Sequence, residues 1–291
     1  TKIGGFGGAV KSTKTVDSYN TGTIGLAAYN GGNQGIGGLF GEMGYGSTLT
    51  RCYNTGAVTG DCYVGGLVGS VGSGSDAANG PSYIVDSYNS GSITGHSDKN
   101  YCGIGGLVGK LDASSSRTYE QSYVHNCYNT GTVTGTDDYV GGGGGLNSGF
   151  GNVKNCYNTG KVSGNKYVGA IIGYRQSLNR YDNIAGNTYS AGCGADKGIG
   201  YVKYLDTSYA NPTKMDGTIV FNTANGTSDC PTVEGCAWRA NHNRTDDPLG
   251  ADADKLCRVV GGSTEPICYE LTASGTYKTE YTVGDELDLT G

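Results

Sequence analysis

Several residue types and patterns are scarce in this chain, and each scarcity narrows the class of protein. The 291 residues include 5 prolines, 4 phenylalanines and 1 tryptophan. The low proline content and the lack of a strict Gly-X-Y period exclude collagen. No stretch of 18 apolar residues occurs, so the sequence predicts no membrane-spanning helix. The net charge is -6 and no run of five basic residues exists, which argues against nucleic acid and anionic membrane surfaces as partners.

Glycine and tyrosine, in contrast, are abundant, with 55 and 23 copies respectively. Each glycine costs a helix about 1 kcal/mol, whereas tyrosine, valine, isoleucine and threonine favour strands. Disordered chains are poor in aromatic and β-branched residues. The composition therefore predicts a folded, all-β protein punctuated by glycine turns.

A phrase of the form Tyr-Asn-Thr/Ser-Gly recurs along the chain. Its tyrosines are Tyr19, Tyr53, Tyr88, Tyr128 and Tyr157, and its asparagines are Asn20, Asn54, Asn89, Asn129 and Asn158. Successive tyrosines are 34, 35, 40 and 29 residues apart, and a second phrase such as VGGLVG (64–69) follows each copy. Units of this length, with short β-branched runs between glycine turns, are typical of solenoids built from parallel sheets.

We therefore predict an all-β fold, a parallel β-solenoid (β-helix) of about six irregular coils with a disulfide-containing C-terminal cap. Equivalent residues of adjacent coils would stack about 4.8 Å apart. The repeated asparagines would then form an amide ladder and the repeated tyrosines an aromatic stack. These tyrosines could also present their faces to sugars, although packing against each other is the interpretation we favour.

The ten cysteines lack any Cys-x-x-Cys pair, which favours a disulfide-bearing extracellular protein over a zinc or redox site. Cys62 and Cys102 each lie five residues before the leucine of the GGLVG phrase in consecutive copies. Cys127 and Cys156 each precede the repeated tyrosine in consecutive copies. Because adjacent coils lie within disulfide range, we predict the bonds Cys62–Cys102 and Cys127–Cys156.

The pairing of the other six cysteines stays open. Cys52 also precedes a repeated tyrosine, but Ser18 and Ser87 hold that position in the neighbouring copies. Two local loops are the simplest pairings among the six. These are Cys230–Cys236 and Cys257–Cys268, which would leave Cys52 and Cys193 several coils apart.

The stretch YNTGAVTGDCYVGGLVG (53–69) resembles the GLUG motif, a short repeat of bacterial surface proteins that include adhesins. The resemblance covers about residues 1–175. It implies a β-solenoid at the cell surface, and it does not imply peptidase activity. The last stretch, YKTEYTVGDELDLTG (277–291), is similar to the first strand of bacterial Ig-like repeats.

The sequence predicts three regions. Residues 1–204 form the GLUG-like solenoid, and 205–276 form a C-terminal cap or a small disulfide-tied subdomain. The second region holds the only tryptophan and four of the five prolines. Residues 277–291 form a terminal strand, either the start of an Ig-like segment or a strand donated to another subunit.

Catalytic and metal-binding patterns are not recognisable. The histidines, His96, His125 and His242, belong to no metal-binding or nucleophile motif. We predict no catalytic residue, no metal ligand and no cofactor. Calcium at the acidic stretch 244–256 is the one alternative, and its spacing differs from that of an EF-hand.

These features favour a non-catalytic, extracellular structural or adhesive segment of a bacterial cell-surface protein. Its expected partners are host or matrix surface glycans and proteins, or copies of itself, without nucleic acid and without membrane insertion in this segment. One alternative is a subunit of an extracellular filament that assembles head-to-tail or by strand donation. A carbohydrate-active β-solenoid is less favoured, because no acid–base set is evident.

Overall fold

The computed structural model is all-β and contains no helix among the residues that it describes. These are residues 1–25, 35–72, 80–96, 101–112, 122–136, 139–148, 151–176, 184–185 and 187–203, with the backbone of 213–215, 255–258 and 267–270. Accordingly, none of them lies in a helix long and apolar enough to cross a membrane.

Five short strands make up one unit, and the units follow one another along the chain. Unit 1 contains β1 (Lys2–Gly4), β2 (Gly7–Val10), β3 (Lys14–Val16), β4 (Tyr19–Asn20) and β5 (Ile24–Gly25). Unit 2 contains β6 (Gly35–Gly37), β7 (Phe40–Met43), β8 (Thr48–Thr50), β9 (Tyr53–Asn54) and β10 (Val58–Gly60). Unit 3 contains β11 (Val64–Gly65), β12 (Val68–Val71), β13 (Ser82–Val85), β14 (Tyr88–Asn89) and β15 (Ile93–Gly95).

The later units repeat this order and shorten toward the end. Unit 4 contains β16 (Ile104–Gly105), β17 (Val108–Asp112), β18 (Ser122–His125), β19 (Tyr128–Asn129) and β20 (Val133–Gly135). Unit 5 contains β21 (Val140–Gly141), β22 (Gly144–Ser148), β23 (Asn152–Lys154), β24 (Tyr157–Asn158) and β25 (Val162–Ser163). Unit 6 contains β26 (Val168–Gly169), β27 (Ile172–Arg175), β28 (Ile184–Ala185) and β29 (Thr188–Ser190), and unit 7 contains β30 (Ile199–Val202) and β31 (Thr213–Met215).

Strands at equivalent positions of successive units pair in parallel and form five sheets, numbered here by strand position in the unit. The first sheet, for example, has the order β1-β6-β11-β16-β21-β26. The register sets like residues opposite each other, as with Tyr88 and Tyr128 in the fourth sheet. Several parallel sheets that each take one strand per unit are consistent with a β-helix.

Left-handed backbone positions bend the chain between strands. The residue two positions before each repeated tyrosine has a positive φ of 50–56°, and these residues are Asp17, Arg51, Asp86, Asn126 and Asn155. Aspartate and asparagine tolerate this conformation better than most residues, because their short polar side chains bond locally. A second positive φ falls near the start of the first-sheet strand at Tyr63, Tyr101, Tyr139 and Tyr167.

The interior contains two apolar columns. Residues such as Leu67 and Leu107 fill the larger column, whereas Ile36 and Val58 belong to the smaller one. Between the columns, a row of glycines touches the repeated asparagines. A Cβ added to Gly66 would overlap both the Asn89 side chain and the Gly106 carbonyl oxygen. The side chain at this corner is therefore limited by the backbone of the next unit and by the asparagine that faces it.

Parallel pairing extends past the predicted end of the repeat region at residue 204, because β31 pairs with β29. Farther on, β32 (Lys255–Arg258) and β33 (Ile267–Glu270) form an antiparallel pair that sets Cys257 opposite Cys268. The predictions for Cys230–Cys236, His242, the acidic residues before 255 and the terminal strand 277–291 concern residues outside the described part of the chain.

Candidate binding surface

The repeated asparagines form a continuous hydrogen-bonded ladder. From Asn20 onward, each Nδ2 donates to the Oδ1 of the next asparagine at 2.8 Å, through Asn54, Asn89, Asn129 and Asn158. Each Nδ2 also donates to the carbonyl oxygen of the glycine two residues later, for example from Asn89 to Gly91 at 2.8 Å. All members except Asn20 are fully buried. Buried amide groups without hydrogen-bond partners would destabilise the fold. The ladder supplies these partners, so its role is structural.

The repeated tyrosines stack one above another beside that ladder. Ring centroids of Tyr19, Tyr53, Tyr88, Tyr128 and Tyr157 are 4.7–4.9 Å apart, and neighbouring planes lie within 5° of parallel. Burial raises the pKa of the Tyr88 and Tyr157 hydroxyls. Tyr53 and Tyr157 have less than 3 % of their surface exposed, so they cannot offer a ring face to a sugar. These tyrosines serve packing.

A disulfide joins two adjacent units at the predicted place. Cys62 and Cys102 are bonded, with their Cα atoms 4.7 Å apart and a sequence separation of 40. In the chain-entropy description, closing a loop of this length contributes about 4 kcal/mol. Each cysteine is next to a tyrosine in sequence, Tyr63 after Cys62 and Tyr101 before Cys102. The bond therefore fixes the relative positions of those two tyrosines.

The predicted Cys127–Cys156 bond is not formed, and both thiols are free and buried. The Cys127 thiol donates to the His125 carbonyl oxygen at 3.1 Å, and the Cys156 thiol donates to the Lys154 carbonyl oxygen at 3.3 Å. Burial, assisted by the adjacent Cys156, raises the pKa of the Cys127 thiol well above its ordinary value. The two thiols are neighbours that stay unbonded, and each one donates to a carbonyl oxygen of its own strand.

Serine makes the same contact where it stands before a repeated tyrosine, which explains why this position accepts either cysteine or serine. The Ser87 hydroxyl donates to the Val85 carbonyl oxygen at 2.7 Å, and the Cys52 thiol donates to the Thr50 carbonyl oxygen at 3.2 Å. Burial raises the pKa of Cys52 to about 12. A thiol that stays protonated at physiological pH is a poor nucleophile, so these cysteines act as buried hydrogen-bond donors.

The described histidines do not meet to form a catalytic or metal-binding set. The His125 ring packs edge-on against Tyr123 at 5.2 Å, and His96 is exposed after β15. Among the described residues, no group of three or more histidine, cysteine or acidic side chains could hold a metal ion.

A second group of tyrosines, which we call the outer tyrosine cluster, lies outside the two apolar columns. It consists of Tyr63, Tyr101, Tyr139, Tyr167, Tyr174 and Tyr201. The rings of its last five members meet at centroid distances of 4.6–6.2 Å and angles of 12–88°. Tyr101 and Tyr201 are 44 % and 40 % exposed. The cluster thus presents aromatic surface to solvent.

A groove of about 280 Å³ opens beside this cluster. Its lining residues are Tyr63, Tyr101, Lys110, Asp112, Leu146, Ser148 and Gln176. Asp112 accepts from the Lys110 ammonium at 2.7 Å and from the Ser148 hydroxyl at 2.7 Å. The Lys110 ammonium also lies 5.1 Å from the Tyr63 ring centroid. The groove therefore combines aromatic side chains with three hydrogen-bonding residues whose charges balance. We call these residues, Lys110, Asp112 and Ser148, the polar rim.

The sequence patterns did not predict this surface. A faint signal exists, because tyrosine directly precedes the Val-Gly dipeptide at Tyr63, Tyr139 and Tyr167. Tyr101 is displaced from that position by Cys102 and Gly103, and Tyr174 comes from a different sheet. Only the stacked structure brings these side chains together.

Comparisons of the chain with known protein families, with curated proteins and with solved structures found no match. The function is therefore inferred from the fold and from the outer tyrosine cluster.

Proposed function

We propose that this chain is a non-catalytic parallel β-solenoid of about six coils that serves as a structural and adhesive segment of a bacterial cell-surface protein. The observation that carries the proposal is the contrast between a closed interior and an open aromatic groove. The interior uses its repeated polar groups in the asparagine ladder, and the groove exposes Tyr101 beside a polar rim.

The chemistry of the described residues supports a binding role over catalysis. Catalysis requires convergent titratable groups with matched pKa values. Burial raises the pKa of the Cys52 and Cys127 thiols, and both thiols donate to backbone carbonyl oxygens. The one titratable pair in the groove, Lys110 and Asp112, is a single ion pair. Such a pair can orient a ligand, but it supplies no nucleophile.

The extracellular setting rests on two further points. The Cys62–Cys102 disulfide suits an oxidising compartment. The resemblance of residues 53–69 to the GLUG repeat points to bacterial surface proteins. Both support a location outside the cytoplasm, with host or matrix glycans and proteins as partners.

Surface display tests this function directly. The chain, fused to an anchor on a non-adherent bacterium, is expected to increase attachment to immobilised mucin or extracellular matrix. An anchor without the chain is the control. Equal attachment with and without the chain would refute the adhesive role.

A filament subunit remains the alternative, and one observation favours it. In the described part of the chain, β1 to β5 each lie at one end of a sheet, and Phe6 nearby is 45 % exposed. Open strand edges accept further strands, and a second copy could supply them. Electron microscopy of the purified chain at micromolar concentration decides this point, because filaments would support the alternative and separate particles would exclude it.

A further inference from the structure

We propose that the groove beside the outer tyrosine cluster binds a neutral saccharide, with Tyr101 as the stacking platform and the polar rim as the hydroxyl-binding group. This inference rests on the proposed adhesive function and names the ligand class for that surface. The repeated tyrosines of the interior stack take no part, because Tyr53, Tyr88 and Tyr157 are buried and the partly buried Tyr19 and Tyr128 stack on them.

Tyr101 has the exposure and the support that a stacking platform needs. It is 44 % exposed, while its ring stacks on Tyr139 at 5.7 Å and meets the edge of Tyr174 at 6.2 Å. The face of an aromatic ring carries negative charge density, which attracts the weakly positive C–H groups on one face of a pyranose. A ring held by two neighbours loses little conformational freedom when the ligand binds.

The polar rim supplies donors and acceptors at the same place. The Lys110 ammonium has three donors and the Asp112 carboxylate about four acceptor positions, so their mutual contact leaves capacity for ligand hydroxyls. Ser148 can both donate and accept. Neighbouring hydroxyls of a sugar both donate and accept hydrogen bonds, so they need donors and acceptors side by side. Because the two charges compensate each other, the rim favours a neutral sugar over an acidic one.

The disulfide pre-organises the groove. It links the residue before Tyr63 to the residue after Tyr101, and both tyrosines line the groove. Pre-organised sites bind more tightly because less entropy is lost on binding. Reduction of this bond is therefore expected to weaken binding.

The size and position of the groove argue for a sugar rather than a peptide. A volume of about 280 Å³ lies near the lower end of small-molecule sites, about 300–1,000 Å³, which suits one or two sugar rings. The rim residues Lys110 and Ser148 belong to strands β17 and β22, and each of these strands is paired on both sides. A peptide therefore finds no free strand edge here for β-addition.

Ligand-observed NMR on the full chain tests the inference, with millimolar maltotriose, cellotriose, mannotriose and chitotriose as probes. We expect saturation transfer to ring C–H protons of at least one trisaccharide. Tyr101→Ala should weaken its affinity at least tenfold, whereas Tyr101→Phe, which keeps the ring, should retain it. Phe6→Ala removes an aromatic ring of similar exposure outside both the groove and the cluster, and it should change affinity less than twofold. Reduction of the disulfide should weaken binding severalfold.

Three results would overturn the inference. The first is no transfer to any of the four probes. The second is an equal loss of affinity in Tyr101→Ala and Phe6→Ala. The third is tighter binding of trigalacturonate, an acidic probe, or of a peptide. If the displayed chain still causes attachment in such a case, the saccharide inference fails and the adhesive function stands. If attachment also fails, both are refuted.

Discussion

This molecule contains two sets of tyrosines that differ in how their rings pack and in how far they are exposed. In the interior stack, the rings lie one per unit, parallel within 5° and 4.7–4.9 Å apart. In the outer tyrosine cluster, the angles run from 12° to 88°, and two of the six members, Tyr101 and Tyr201, are 44 % and 40 % exposed. When one residue recurs at the same position of a parallel stack, its side chains pack against each other and leave little surface for a ligand. The tyrosines of the outer cluster pack at varied angles, and part of their surface remains open to a ligand.

The asparagine ladder beside the interior stack is expected to show the largest effect. Asn89→Ala removes a fully buried member that accepts from Asn54 and donates to Asn129. We expect a loss of about 4 kcal/mol in the free energy of unfolding, because the neighbouring amides lose partners and a cavity forms.

Asn20→Ala is the matched control for that change. Asn20 is only partly buried and has one ladder neighbour, Asn54, so its loss should cost about 1 kcal/mol. Urea unfolding of both variants measures the difference. Similar values for the two would show that the ladder adds nothing beyond its individual hydrogen bonds.

Gly66→Ala tests the contact between the glycine row and the ladder. The new Cβ would overlap Asn89 and a backbone carbonyl, and we expect a loss of about 3 kcal/mol from overpacking. In unit 6, alanine already occupies this corner as Ala170, where Tyr189 takes the place of the repeated asparagine.

Gly72→Ala is the control, because the nearest atom to its added Cβ is 4.0 Å away. It should leave stability unchanged within about 0.5 kcal/mol. Equal shifts in the thermal unfolding of both variants would show that the overlaps at Gly66 do not limit the residue at this corner.

The pH dependence of stability gives a smaller effect. Burial raises the pKa of Cys52 to about 12 from an ordinary value of 9.0. Below pH 9 the thiol is neutral in both states. Above it, the unfolded state loses the proton first, so the free energy of unfolding falls as pH rises toward 12, by up to about 1.4 kcal/mol per pH unit.

Cys52→Ser removes this titration while keeping a donor, since Ser18 and Ser87 fill the same position in adjacent units. Unfolding free energies measured between pH 8 and pH 11 should therefore fall less steeply in the variant. Parallel curves for the two proteins would mean that the thiol is ionised or solvated in the folded state.

The sequence was sufficient to predict what is repeated. The repeated phrases predicted the partners of Asn89 and Tyr88 and the contact between Cys62 and Cys102, because in-register stacking sets like residues opposite each other. It did not predict the chemistry within that register. Cys127 and Cys156 were expected to bond, but each thiol instead makes the local contact that serine makes at Ser87.

The candidate site could not be predicted in the same way. Tyr101 lies in a turn before β16, whereas Tyr174 lies in β27. The polar rim arises from Lys110 and Ser148 of adjacent units, which have no common motif. Such a surface depends on the offset between sheets and on linkers of unequal length. Periodicity does not encode either of these.

The most direct measurement compares the two tyrosine sets in one experiment, the free energies of unfolding of Tyr88→Ala and Tyr101→Ala. Tyr88 is 6 % exposed within the interior stack, and its truncation should cost about 3–4 kcal/mol. Tyr101→Ala, at the surface, should stay within about 1 kcal/mol of the unmodified protein. Equal losses for the two variants would contradict the division between a packing stack and a surface available for binding.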